Sequence, residues 1–263
     1  MPTIHANDIE LHYQRVGKGS PVLLLAGMAS DSASWQPVVA PLSQHFEVFT
    51  LDNRCTGRTQ PANAPTSKDL MVQDVLALAD ACDLQHFSLV GHSMGAMLAW
   101  HVAATVPERV SGLVACSAAM NTNAARIELF ETLARLRTDL NEADWFRLLF
   151  QFLFSPDFFE DSQQIDFAVQ ASMDYPYKQS LQAFNTQTKV LKTFLEKPNF
   201  ESMPFPAMAL TGANDVMFSP TALAAFYSAW PAIERRVIDN AAHSVHWENR
   251  AEFVDCVIGF LQR

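Results

Sequence analysis

A serine, an aspartate and two histidines are the residues of this sequence whose types and spacing could do chemistry together. Ser93 stands in Val90-Gly91-His92-Ser93-Met94-Gly95, a G-x-S-x-G spacing with an apolar run before it and a helical pattern after it. Small flanking residues let a strand turn sharply into a helix. The hydroxyl is then exposed above the turn, and the N–H of Met94 sits at the positive helix end, where it can face a developing oxyanion. A serine is a poor nucleophile at neutral pH until a base takes its proton, and that base needs an orienting carboxylate. Where the serine lies on a strand–turn–helix elbow, the chain order is serine, acid, histidine. Asp215 follows the apolar run Ala207–Thr211 on the tight turn Gly212-Ala-Asn-Asp, and His243 follows the run Ile233–Ile238. Together they predict acyl transfer, with Ser93 as nucleophile, His243 as base and Asp215 as the carboxylate that orients it.

The second histidine needs its own reading. Asn240-Ala-Ala-His-Ser-Val-His-Trp-Glu-Asn places His246 three residues after His243, with Glu248 two further on. H-x-x-H with one glutamate matches no recognised metal spacing, so no metal site is expected. His246 is read as structural, in the first turn of the last helix and pointing away from Ser93. Glu248 is read as a complement to that helix's amino terminus.

The elements that must position these residues alternate. Thr3–Gly17 reads as an antiparallel hairpin about Asn7-Asp8. The continuous apolar runs Pro21–Gly27 and Phe46–Asp52 suit strands buried on both faces, as do His86–Val90 and Val110–Cys116. Helical patterns over Ser34–His45, Ser67–Leu84 and Met94–Val106 separate them, and Pro220–Trp230 and Trp247–Leu261 follow later. The pattern predicts an α/β fold with a doubly wound, mostly parallel sheet. Residues 121–206 carry four helical segments and no strand, Ala124–Leu140, Glu142–Phe154, Asp161–Met173 and Ser180–Leu195. They are expected to form a helical cap inserted after the sixth strand, over a core of residues 1–120 and 207–263. Asn141 with Asp144 has the spacing of a capping pair. The cap aromatics Trp145, Phe146, Phe150, Phe152, Phe154, Phe158 and Phe159 fall at helical spacing, so most are assigned to packing. Trp145, Phe150 and Phe154 are the candidates for an apolar substrate pocket.

Composition narrows the partners. A net charge of −10 disfavours nucleic acid and anionic membrane surfaces, and no apolar run has the length of a membrane span. The amino terminus lacks the basic and apolar regions of a signal peptide, and Cys55, Cys82, Cys116 and Cys256 are widely scattered. A cytoplasmic protein without a disulfide framework is expected, working as a monomer or a homodimer.

Elbow, acid turn and histidine loop together resemble the α/β-hydrolase fold superfamily over nearly the whole chain, most of all its small capped esterases and the 3-oxoadipate enol-lactonase group. Leu25-Ala-Gly-Met-Ala is similar to that family's oxyanion loop, which implies the N–H of Met28 as a second oxyanion donor beside that of Met94. Asp52-Asn-Arg-Cys-Thr-Gly-Arg-Thr resembles its D-x-R-G-x-G-x-S turn, and Phe154-Ser-Pro and Tyr175-Pro-Tyr-Lys-Gln-Ser resemble lactonase-like cap segments. Three positions depart from the pattern, the smallest change being Ala242 before His243. Ala26 replaces a usual histidine, which leaves the backbone donors intact. Cys55 replaces a glycine, which implies a steric penalty wherever that glycine adopts positive φ. The resemblance implies a cofactor-free hydrolase of small hydrophobic esters or lactones. Perhydrolase or haloperoxidase-like chemistry, carbon–carbon bond hydrolysis, and a ligand receptor on the same scaffold are the alternatives it leaves. Dehalogenases and epoxide hydrolases of the fold use an aspartate at the elbow, which Ser93 argues against.

Overall fold

Strand β1 (Thr3–Ala6) pairs antiparallel with β2 (Ile9–Gly17) through the turn at Asn7, whose φ of 55° is the left-handed conformation asparagine tolerates. This hairpin opens the computed structural model of the chain, which describes residues 2–200 and 203–263. Residues 201–202 of the expected cap range lie outside that description, as does Met1. After β3 (Pro21–Leu25) a 3₁₀ turn at Ser32–Trp35 leads into α1 (Gln36–Leu42), so the helix expected over Ser34–His45 is shorter and begins later. Asp31 caps the 3₁₀ turn through the Ala33 amide, and Pro37 fits the first turn of α1, where a missing N–H costs nothing.

Next come β4 (Glu47–Leu51), α2 (Lys68–Ala81), β5 (Phe87–His92), α3 (Met94–Thr105) and β6 (Val110–Cys116). Four helices then intervene without a strand: α4 (Ala124–Asp139), α5 (Glu142–Leu153), α6 (Ser162–Asp174) and α7 (Leu181–Leu191). Their amino termini carry Asn123, Asn141, Asp161 and Ser180, each accepting a hydrogen bond from an amide of the first turn. The expected Asn141–Asp144 pair is reciprocal: the Asp144 amide donates to Asn141 Oδ1, and Asn141 Nδ2 donates to the Asp144 carboxylate. The sheet resumes with β7 (Ala207–Gly212), followed by α8 (Pro220–Tyr227), β8 (Glu234–Ile238), α9 (Val245–Glu248) and α10 (Arg250–Leu261). The single last helix expected from the sequence is two, because Asn249 leaves helical conformation to cap α10 through the Glu252 amide.

The eight strands run in the order β1-β2-β4-β3-β5-β6-β7-β8, antiparallel through the β2·β4 pair and parallel from β4 to β8. Alternate residues of one strand feed different layers. Leu23 and Leu25 join the core under α2 and α3, whereas Val22 and Leu24 join the core under α1 and α10. Burial of each such side chain is worth about 1.5–3 kcal/mol. The strand order reverses between β3 and β5, so the loops leaving those two strands part to opposite faces and open a crevice at their carboxyl ends. No helix among the described residues is long and apolar enough to cross a membrane.

Candidate active site

The loop that leaves β5 makes the elbow. Ser93 has φ 54° and ψ −121°, a conformation that costs a residue with a side chain about 1–3 kcal/mol. Its surroundings enforce it. A Cβ on Gly91 would stand 2.3 Å from the Gly95 carbonyl oxygen, and one on Gly95 would stand 2.0 Å from that of Leu25. Strand, helix and neighbouring strand therefore approach one another only because both positions are glycine. The Ser93 amide donates to the Cys116 carbonyl at 2.9 Å, which ties the elbow to β6. The Met94 amide begins α3 and that of Met28 follows β3, and neither has a protein acceptor among the described residues. Leu25 pairs with Gly91 in the sheet, so the two donors leave adjacent strands.

Asp215 and His243 meet beyond β7 and β8. His243 Nδ1 lies 3.0 Å from Asp215 Oδ2, and both side chains are almost fully buried. The other carboxylate oxygen accepts from the amides of Met217 at 2.9 Å and Phe218 at 2.8 Å. Burial by itself would raise the Asp215 carboxyl. The charge and hydrogen bond of His243, joined by those two amides, outweigh it and hold the group below its ordinary carboxylate value. The Phe218 ring stacks along the His243 imidazole at 6.0 Å between centroids. His243 and Ser93 both line one cavity of about 920 Å³, together with Gly27 and Met28.

The helical insertion roofs that cavity. Trp145, Phe146, Phe150, Phe154 and Phe158 line it, so the expectation that most of the cap aromatics serve packing alone is corrected. Two adjacent rows of α5 and the following turn face the space, Trp145, Leu149 and Leu153 beside Phe146, Phe150 and Phe154, each recurring every four residues. Phe152 lines a separate, smaller pocket beside Arg126. Trp145 does both jobs: its indole N–H donates to the Leu133 carbonyl at 2.9 Å while its ring closes the cavity wall.

Two further expectations are refined. His246, expected to point away from Ser93, instead lines the same cavity: it is buried with its ring 4.7 Å from those of Trp35 and of His92. Burial, then the neighbouring His243, takes its pKa down to about 3, and the same causes together with His246 push His92 well below its ordinary value. His92 Nε2 lies 2.9 Å from the carbonyl oxygen of His243, so the elbow also holds the histidine loop. Glu248 does not merely complement a helix terminus. One carboxylate oxygen accepts from the Ser155 amide and the other from the Ala242 amide, each at 2.7 Å, which joins the insertion to the residue before His243. The Ser244 amide donates to the Leu153 carbonyl at 2.9 Å and repeats the link.

Sequence reasoning missed a set of residues in the helical insertion that bond to the loops after the strands. Gln187 Oε1 accepts from the Ala29 amide at 2.8 Å, directly after Met28, at a residue with φ 59°. Gln179 Nε2 donates to the Cys55 carbonyl at 2.8 Å and to Gln187 Oε1 at 3.1 Å. Tyr175 donates its hydroxyl proton to Asp31 at 2.8 Å. Arg126 donates from Nε and Nη2 to the Met217 carbonyl and stacks over Phe218 at 3.6 Å. One signal was available for Gln187: it sits at the buried stripe of α7 with Phe184 and Leu191, a polar side chain at an apolar spacing. Cys55 has φ 67°, so the implied steric penalty is present. Its thiol is buried, and burial pushes its pKa up despite the nearby Arg54, which disfavours a thiolate. Arg54 itself is engaged by Asp74, Asp8 and the Pro65 carbonyl.

Comparison with known proteins places the fold. Residues 20–250 match the family model described as the alpha/beta hydrolase fold. A protein named as a carbamate hydrolase (RutD) from Azorhizobium caulinodans is 33% identical over 113 residues, 43% of this chain and 43% of that protein. The chain matches less than half the length of such relatives, 43% and 42% for the first two. A pimeloyl-[acyl-carrier protein] methyl ester esterase from Aliivibrio fischeri is 25% identical over 260 residues, 96% of this chain and 98% of that one. The enol-lactonase structure from Burkholderia xenovorans LB400 superposes with a TM-score of 0.88 at 21% identity, covering 100% of both chains. Elbow, sheet order and a match spanning most of its length lead to one assignment: the chain belongs to the alpha/beta hydrolase fold family.

Proposed function

We propose that this chain is a serine hydrolase that cleaves carboxylic esters or lactones of small hydrophobic substrates, with residues 121–206 acting as the cap over its active site. The observation that carries the reading is the buried His243–Asp215 pair on the cavity that Ser93 also lines, beside two uncommitted amides. In the first step Ser93 Oγ bonds to the substrate carbonyl carbon while its proton passes to His243 Nε2, and Asp215 stabilises the resulting imidazolium. The amides of Met28 and Met94 bind the oxyanion. Collapse of the tetrahedral intermediate breaks the bond to the leaving oxygen, which takes the proton from His243 and leaves an acyl-enzyme. A water, activated by His243, releases the acid and restores Ser93. In a lactone the leaving oxygen stays attached to the acyl chain, so one hydroxy acid is the product. The aromatic row Phe146, Phe150 and Phe154 supports a hydrophobic acyl or aryl group in the cavity.

The test is hydrolysis of p-nitrophenyl esters from acetate to octanoate, and of simple lactones, by the wild type and by Ser93→Ala. Turnover lost in a folded variant by roughly 10⁴-fold or more is expected. Full activity in Ser93→Ala abandons the reading. Negligible turnover by folded wild type turns attention to carbon–carbon substrates and to ligand binding.

A further inference from the structure

Five residues on the cavity wall carry carboxylate, ammonium or guanidinium groups: Asp31, Arg137, Asp157, Lys178 and Glu248. Four have evident arrangements. Asp31 is held by the Tyr175 hydroxyl and the Ala33 amide, and Glu248 by the Ser155 and Ala242 amides. Lys178 is paired with Glu142 at 2.9 Å and donates to the Met173 carbonyl. Asp157 is exposed to solvent. Arg137 differs from all of them. It is half-buried, and no carboxylate among the described residues pairs with it, although the chain has 28 acidic residues against 18 basic ones. The nearby Glu142 is already engaged by Lys178.

The setting of Arg137 fixes a guanidinium without neutralising it. Its guanidinium carbon lies 4.6 Å from the Trp145 ring centroid and 5.3 Å from that of Phe184, which hold it over aromatic faces. Nη2 donates to the Gln179 carbonyl, and the remaining N–H groups have no acceptor among the described residues. Arg137 stands in the last turn of α4, where the helix's carbonyl end favours a cation, so the charge is retained without a counterion. A planar, oriented fork with a free edge in a mostly apolar cavity matches a carboxylate better than any neutral polar group.

We infer that the cavity takes substrates bearing a second, anionic group, a carboxylate seated on Arg137, so that the preferred substrates are half-esters of dicarboxylic acids or acyl esters of hydroxy acids. The inference rests on the serine-hydrolase reading only for which bond is cut. The anion site itself follows from Arg137, and its charge also sets a direction: the carboxylate end occupies the α4–α5 side of the roof and the scissile bond approaches Ser93.

The experiment compares matched substrates on the wild type, Arg137→Met and Arg137→Lys. One series is the p-nitrophenyl monoesters of straight-chain dicarboxylic acids from succinic to suberic, each against the monocarboxylic ester of equal length. The other is acetyl esters of ω-hydroxy acids against those of the corresponding alcohols. The wild type is expected to favour the carboxylate member of at least one pair by roughly tenfold or more in kcat/KM. That ratio should fall to near one in Arg137→Met through KM and recover in part in Arg137→Lys. Neutral members equal or better in every pair of both series overturn the inference, as does a ratio unchanged in Arg137→Met. If the wild type hydrolyses no ester, the serine-hydrolase reading fails separately. Calorimetric titration with the free dicarboxylic acids then decides the anion site: saturable binding lost in Arg137→Met sustains it, and no binding to wild type overturns it.

Discussion

The elbow after β5 and the loop after β3 leave neighbouring strands, yet they are held by different parts of the molecule. Ser93 is fixed from within the sheet, by close backbone approaches at Gly91 and Gly95 and by the Cys116 carbonyl. The loop after β3 is fixed from the insertion, by Gln187 on the Ala29 amide. The histidine loop has both supports: His92 reaches the His243 carbonyl from the elbow, and Leu153 and Ser155 of the insertion reach Ser244 and Glu248. On the proposed mechanism the sheet supplies the reacting atoms through backbone geometry, whereas the insertion sets the spacing between loops through hydrogen bonds. On this division, damage to a sheet-borne residue removes a chemical step, and damage to an insertion residue misplaces one.

The largest effect belongs to the sheet half. Asp215→Asn retains one carbonyl oxygen for the Met217 and Phe218 amides, but its amide nitrogen cannot accept from His243 Nδ1–H. The imidazole then takes the wrong tautomer, and kcat should fall about 10⁴-fold with the fold intact. Stopped-flow or steady-state ester kinetics beside circular dichroism checks it. Near-wild-type kcat would show that the buried pair does not orient the base, and the division between the halves would collapse.

A smaller and more selective effect is expected in the insertion. Gln187 Oε1 accepts from both the Ala29 amide and Gln179, while its Nε2 is buried without a partner. Gln187→Met removes the acceptor, and the loop carrying the Met28 amide loses its tether. Loss of one oxyanion donor is worth about 10²–10³ in kcat, and a displaced donor should cost roughly tenfold to a hundredfold. KM should barely move. Gln187→Glu keeps the acceptor at the same place and should recover most of the loss. A change confined to KM or to Tm, with no recovery in Gln187→Glu, would reduce the glutamine to a packing element and weaken the comparison.

The same division explains what could be read before the structure. The sheet half was legible because its constraints are local: G-x-S-x-G, a strand before Asp215 and a strand before His243 lie within a few residues of the atoms they position. The four insertion helices were legible as helices, with Asn141 even naming its partner Asp144. Their roles were not. The bond from Gln187 to Ala29 spans 158 residues, and that from Tyr175 to Asp31 spans 144. No spacing rule links such positions, and the place of Gln187 on the buried stripe of α7 marks it as unusual without naming its partner. Glu248 was read only in part for the same reason: near a helix terminus its charge has a sufficient local purpose, and its further partners, Ser155 and, on the other side of His243, Ala242, are identified only in the folded chain.

The least effect falls on neither loop's chemistry but on the ring stack beneath them, and it appears as pH dependence of stability. His246, packed between Trp35 and His92, has its pKa lowered to about 3, and burial with a nearby lysine takes His101 to about 4. In the unfolded chain a histidine titrates near 6.5. Below that value the unfolded state binds protons that the folded state refuses, so stability falls as pH drops and is fully present only above it. At about pH 5 each such histidine costs about 2 kcal/mol, from 1.36 kcal/mol per unit of separation. Asp215 works in a lower window. Its depressed carboxyl stabilises the fold above its ordinary value of 3.8, and that contribution disappears only as pH falls through its folded pKa. Urea unfolding of the wild type and His246→Phe at about pH 7.5 and pH 5 separates the two groups. The variant should lose about 2 kcal/mol less on acidification, because an aromatic ring keeps the contact with Trp35 and has no proton to refuse. An identical loss in both proteins would mean that His246 accepts its proton in the folded state, through an opening of the Trp35–His92–His246 stack. The histidine loop would then be more loosely held than its bonds to the elbow and the insertion imply.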